Sequence, residues 1–493
     1  MTVLYHVWYN AAMLIASLFL SSLAFRPAIR VQIDPRVELL TTVFRLAGSE
    51  EFKEPNSASP YSRDVDAAFA PFKEHPAVKD AELLRTKFSV AYDAVALLAI
   101  NLSDIHSLKE KVPFDLPPKR WDSRLNLVET RKLVADLRLF VKDTHYDAFL
   151  KKEEPHLKQS TASLQALIEK YHVPATMDAF FGRAPKFPPR VIVGMLCGGG
   201  NYGMSVEYPN GALEMAPIIG AYHFDKEGNA QFQEQDLPVV MHEFSHPFVN
   251  PALAPYLPSL TGAVQKLLPR LANTYRFQGY SAPDSIVYET MVRAVEVHLA
   301  RRHLPAEVAR LDTIWQRCAG FLATSDLADL LDEYDAHREK YKVIDDFVPV
   351  MAKRYMELTS DPDVLYDRCP KVTDFHLTWG DIANGKQEVA IRVTFDHTML
   401  TKRFGSWIED GDAEQVGTAS YDSSGKVMTY VYRVGLGKML HFAINPEGWG
   451  SVSESGYPVL TCRFPLKVPA EQLLGVPEQA ESLWCQVLRC LGI

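Results

Sequence analysis

Asp236–Pro251 reads DLPVVMHEFSHPFVNP, and the fold assignment turns on whether His242, Glu243 and His246 share one face of a helix. Residues four apart on an α-helix are stacked on one face, about 6 Å apart along the axis, so two imidazoles at that spacing can reach one metal ion. A carboxylate next to the first imidazole then projects beside the ion. Zinc lowers the pKa of its water to roughly 7, and an adjacent carboxylate can take the proton as that water attacks a carbonyl. His242 and His246 are therefore the candidate metal ligands and Glu243 the candidate general base. With 15 His in 493 residues, an accidental match is expected on the order of a few hundredths per chain. Asp236 reads as an N-cap with Pro238 in the first turn, and Val239, Val240 and Met241 supply apolar positions. Pro247 disfavours helical geometry at His246, so the helix is expected to end or kink there, closed by Asn250-Pro251.

A catalytic zinc site of this type takes a third protein ligand and leaves the fourth position to water. Ser285–His303 reads as the helix that supplies it. Ile286, Val287, Val292, Val295 and Leu299 recur at helical spacing, and Glu289, Arg293 and Glu296 form a polar stripe. Both glutamates are candidates, yet two residues seven apart lie about 10.5 Å apart along the axis, and one metal cannot readily accept both. Glu289 is favoured because it lies in the first turns after a cap at Ser285. Glu296 can pair with Arg293 or Arg301 as a surface group.

Upstream the pattern is strand-like and then helical from Val31 to Gly48. Helical spacing follows over Asp64–Lys73, Ala81–Leu102, Glu129–Lys151 and Ser160–Tyr171. The character changes at Arg190–Leu196 and Leu213–Tyr222, which read as strands joined by a glycine-rich turn just before the motif helix. That turn, Gly198–Gly203, contains GxGxxG, but another strand and turn follow it instead of a phosphate-binding helix, so a dinucleotide site is rejected. Asn201 and Tyr202 are candidate hydrogen-bond donors to substrate or to a developing oxyanion, Tyr288 is a third candidate substrate-binding residue, and Tyr280 is a further candidate hydroxyl for the oxyanion. After Leu327–Tyr341 and Asp346–Leu358, both helical, the chain turns β-rich beyond Cys369. Strands are expected at 372–378, 388–395, 416–421, 427–434, 438–444 and 459–464, the spacing of a small β-sandwich.

Val7–Leu23 is apolar and ends in Ser22-Leu23-Ala24, the pattern of a signal peptide cleaved after Ala24. The n-region holds only His6, so an uncleaved N-terminal membrane anchor is the alternative. A net charge of -9 argues against nucleic acid as a partner. Six cysteines are too few for a disulfide scaffold in a chain this long, and whether Cys369 and Cys462 pair is left open.

Four motifs occurring in order, DPRVELLTTVFRLAG, CGGGNYG, HEFSHPFVNP and YETMVRAV, resemble an uncharacterised domain-of-unknown-function family of bacterial exported proteins regarded as gluzincin-like metallopeptidases. The resemblance spans about residues 30 to 358. It implies His242, His246 and Glu289 as ligands of one Zn2+ ion and Glu243 as catalytic residue. Pro247 stands where a small polar residue is expected. Further on, Val393–Met399 (VTFDHTM) with Gly456-Tyr-Pro and Cys462-Arg-Phe is similar to the SbsA-type bacterial Ig-like domain, which implies a spacer or surface-binding role.

The expected architecture is α+β: a signal peptide over 1–24, then a helix-rich zincin-like metallohydrolase domain with a small mixed or antiparallel sheet over 25–360. An all-β Ig-like sandwich over 369–468 and a tail over 469–493 complete the chain. The expected function is that of an exported, zinc-dependent hydrolase, secreted or held in the cell envelope, which cleaves a peptide or protein substrate. Membrane or cell-surface attachment would run through the N-terminus or the Ig-like module. The rival readings are a zinc hydrolase acting on something other than peptides and a non-catalytic surface-binding protein on the same scaffold.

Overall fold

The computed structural model describes residues 29–53, 59–116, 121–183, 190–411, 413–448 and 450–470. The expected signal segment, Cys485, Cys490 and the tail from 471 onward lie outside the described residues. The chain is mixed α+β, with a helical N-terminal part and C-terminal β-sheets. It forms two compact units, residues 1–179 with 183–244, and residues 180–182 with 245–493. None of the described helices is long and apolar enough to cross a membrane.

In the first unit, strand β1 (Arg30–Gln32) leads into the helix Pro35–Leu46. The Asp34 side chain accepts from the Arg36 N–H at 3.0 Å to cap that helix, and Pro35 occupies its first position. Nearly every residue of the helix is buried, including Glu38. Glu38 Oε1 accepts the Met195 N–H at 3.0 Å. Burial, the largest influence on this carboxyl, pushes its pKa up to about 7.

Two long helices expected from periodicity are each divided. The Ala81–Leu102 stretch becomes Pro76–Phe88 and Asp93–Asn101, and Glu129–Lys151 becomes Leu127–Asp143 and Tyr146–Gln159. The breaks fall at Ser89, Tyr92 and His145, whose φ values of 57°, 49° and 55° cannot continue a right-handed helix. None of the three is glycine or proline, so composition gave no sign of them.

The sheet before the motif helix differs from the expected hairpin. Strands β2 (Arg190–Gly194), β3 (Ser205–Glu207), β4 (Leu213–Met215) and β5 (Ile218–Gly220) follow in order. β1 and β5 both lie parallel to β2, in the order β1-β2-β5, while β3 and β4 form a separate antiparallel pair. Pro217 divides the expected Leu213–Tyr222 strand, and its carbonyl accepts the Ile192 N–H at 2.8 Å. Being central, β2 is buried from Val191 to Gly194, which accounts for its continuous apolar run.

In the second unit the β-rich segment follows the helices Thr324–Ala336 and Ile344–Ser360. β6 (Val372–Ala383), β7 (Lys386–Phe395), β9 (Ala413–Gln415), β10 (Ser420–Tyr421) and β11 (Val427–Gly435) form one antiparallel sheet. β8 (Ser406–Ile408), β12 (Met439–Ile444) and β13 (Cys462–Lys467) form another. Along β11 the buried positions alternate, and Met428, Tyr430, Tyr432 and Val434 meet Phe442 and Phe464 of the other sheet in one core. The expected strand 416–421 is replaced by the short β9 and β10, and the last strand runs three residues beyond the expected 459–464. Within the same unit, Val452 packs with Ile314 and Cys318 of the helix Ala306–Cys318, and Arg317 Nη1 donates to the Ser455 carbonyl at 3.1 Å. Cys197, Cys318 and Cys369 are free and buried, and Cys462 is buried as well.

Candidate metal centre

The motif helix spans Leu237–Leu253 and carries Pro247 and Pro251 inside it. It does not stop at His246, as the proline had suggested. Pro247 removes one backbone donor and restricts its predecessor without forbidding α geometry, and the buried flanks of the helix override the local preference. Asp236 lies in a preceding 3-10 turn, where its carboxylate accepts the Gln233 N–H at 2.7 Å and the Tyr222 hydroxyl.

His242 and Glu243 are 6% and 5% exposed, so both reach the interior face of this helix. The His246 Nδ1 lies 3.3 Å from Asn250 Oδ1 on the next turn. With Asn250 bonding Nδ1 on one side of the ring, Nε2 on the other side is the nitrogen that faces Glu289. That Nε2 is 3.4 Å from Glu289 Oε1. Two ligand atoms bound about 2.0–2.1 Å from one tetrahedral zinc stand about 3.4 Å apart, so this pair already has the spacing of a tetrahedral edge. One ligand atom from each of His242, His246 and Glu289 lies within 4.8 Å of the other two. The donor set, two imidazoles and a carboxylate, suits zinc and leaves a fourth position.

Glu289 stands on a helix that runs Pro283–His303, with its N-cap at Ala282 instead of Ser285. The helix is buried on all sides from Ile286 to Ala300, Tyr288 alone being half-buried. This burial corrects the reading of Glu296. It is 3% exposed and accepts from Gln316 Nε2 at 3.1 Å, while Arg301 pairs with Asp329 at 2.6 Å. The structure thus brings Glu289 to the histidines and sets Glu296 two side chains away from it, joined through Gln316 and Arg293. Burial and then the nearby Glu296 charge push the Asp312 carboxyl well above the usual carboxylate range.

Asn201 and Tyr202, the candidate hydrogen-bond donors, lie on the loop that lines β5. Tyr202 pairs with Ile218 through both backbone hydrogen bonds, each 2.9 Å, and Asn201 Oδ1 accepts the Gly220 N–H at 3.0 Å. These bonds close the outer edge of β5 against an added strand. A Cβ on Gly220 would lie 2.1 Å from the Gly198 carbonyl oxygen, so the loop lies backbone to backbone on the strand, which explains the glycine at 220. Sequence reading passed over Gln316, and it took Asn250 only as part of the helix end and Tyr280 only as a candidate hydroxyl for the oxyanion, where the structure bonds Asn250 to His246 and Tyr280 to Arg293. The i+4 spacing of Asn250 from His246 was a signal that could have been used.

The chain is thus an α+β protein in which two histidines and a glutamate could hold one metal ion, with a buried glutamate beside the first histidine. The chain belongs to the family described as Domain of unknown function (DUF4932), whose model matches residues 29–353. No curated protein and no solved structure matches the chain.

Proposed function

We propose that this protein is a zinc-dependent hydrolase, a metallopeptidase of gluzincin type acting outside the cytoplasm, with the C-terminal sheets as an Ig-like spacer. The observation that carries this reading is the buried His242–His246–Glu289 group on two helices, with Glu243 next to the first ligand. His242, His246 and Glu289 hold the ion. A bound zinc supplies Lewis-acid polarisation of the scissile carbonyl and makes water nucleophilic near neutral pH. Glu243 does the proton work: its carboxylate takes a proton from the attacking water and delivers it to the nitrogen of the departing amine. Tyr288, beside Glu289, is the candidate hydroxyl for the oxyanion. With the outer edge of β5 closed by the loop, the substrate is not expected to add there as a strand.

The test is elemental analysis of the purified full chain, followed by digestion of a peptide library with the parent and with Glu243→Gln. The variant should keep stoichiometric zinc and lose about 10² to 10⁴-fold or more in cleavage rate. Full activity in Glu243→Gln would refute the mechanism. A zinc-loaded parent that leaves every peptide intact would move the assignment to a non-peptide substrate or to a binding role.

A further inference from the structure

Arg293 lies one turn beyond Glu289 on the same helix, and its environment is more elaborate than an ordinary i,i+4 ion pair requires. Its Nε donates to Glu289 Oε2 at 3.1 Å, and Nη2 stands 3.1 Å from the same oxygen. Nη1 donates to Gln316 Oε1, Nη2 donates to the Tyr280 hydroxyl at 3.1 Å, and the guanidinium lies 4.4 Å from the centre of the Phe321 ring. Gln316 is held in turn. Its Nε2 donates to Asp312 Oδ1 at 2.8 Å and to Glu296 Oε1 at 3.1 Å, so two acceptors fix the amide's nitrogen end. Its oxygen therefore faces Arg293, which has donors only.

The two oxygens of Glu289 are thereby made unequal. Oε2 is taken up by the guanidinium, and Oε1 faces His246 Nε2. Building on the metal-centre reading above, we infer that Arg293, braced by Gln316, is a positioning residue that restricts Glu289 to ligation through Oε1 alone. Two-oxygen ligation by Glu289 would occupy the coordination position a hydrolytic metal keeps for water. The guanidinium prevents it and draws charge from the carboxylate. A lysine at 293 would supply a point charge without the planar fork that reaches Glu289 and Gln316 together.

The probe is cobalt(II) alone, titrated into the metal-free full chain and read by visible absorption. The parent is expected to give the intense bands of four-coordinate cobalt. Gln316→Leu, which leaves Glu289 and Arg293 in place, and Arg293→Lys should both lose intensity as Oε2 joins the metal, with melting curves recorded to show that each is folded. Weak, higher-coordinate bands in the parent overturn the inference with no variant needed, as do folded variants whose spectra match an intense parent. A parent that takes up neither cobalt nor zinc overturns the metal-centre reading itself, so the two failures are distinguishable.

Discussion

Replacing Glu38 with glutamine should stabilise the protein at alkaline pH and do little in acid. The carboxyl is fully buried and titrates at about 7 in the fold, against 4.5 when unfolded. Between those values the unfolded chain has released the proton and the native state still binds it, so stability falls as pH rises through that window. At about 1.4 kcal/mol per pH unit the gap is worth about 3 kcal/mol, fully present below pH 4.5 and lost above pH 7. Glutamine mimics the neutral acid, and its amide oxygen can still accept the Met195 N–H. The urea midpoint of the transition that reports the first unit, measured at pH 5, 6, 7 and 8 for parent and variant, gives the difference directly. Contributions from other titrating groups cancel in that difference. Glu38→Gln should exceed the parent by about 3 kcal/mol at pH 8, with the excess shrinking towards pH 5. A variant less stable than the parent at pH 8, or a difference independent of pH, would refute the argument that burial of this carboxyl opposes its ionisation.

Glu289→Ala should lose stoichiometric zinc by elemental analysis while Glu296→Ala retains it, and the reverse result would exchange their roles. Gly220→Ala forces its Cβ within 2.1 Å of a backbone oxygen and should cost about 1–3 kcal/mol or more, read as a lowered melting temperature. A chain ending at Asp361 exposes Ile314 and Cys318, which pack against Val452. It should melt at a lower temperature than the full chain and still bind zinc, since the three ligands precede the cut; a folded but metal-free fragment would contradict this.

The motif helix was legible because its evidence is local: two histidines, a glutamate and apolar neighbours at helical spacing. The sandwich strands were legible for the same reason, as the alternation in Val427–Gly435 shows. What escaped depends on partners distant in sequence. Glu296 reads as an ordinary exposed glutamate until Gln316, twenty residues on, is seen to donate to it. The parallel pairing of β1 with β2 rests on three-residue strands, too short to carry a period. Asn201 and Tyr202 were read as candidate substrate-binding groups because a glycine-rich loop before the motif helix suggests a cleft. Their bonds to Ile218 and Gly220 could not be inferred without knowing that β5 was an edge.

That sheet also sets the order in which the chain can fold. Arg30 meets Arg190 and Ile192 meets Ile218, so the first strand waits for most of the unit to be synthesised before it has anything to bond. At about 5–20 residues per second this delay is roughly ten to thirty seconds. Glu38 waits with it, because its hydrogen-bond donor, Met195, emerges just after β2. Closing so long a loop costs entropy and slows pairing, so this sheet is expected to form later than the local helices between its strands.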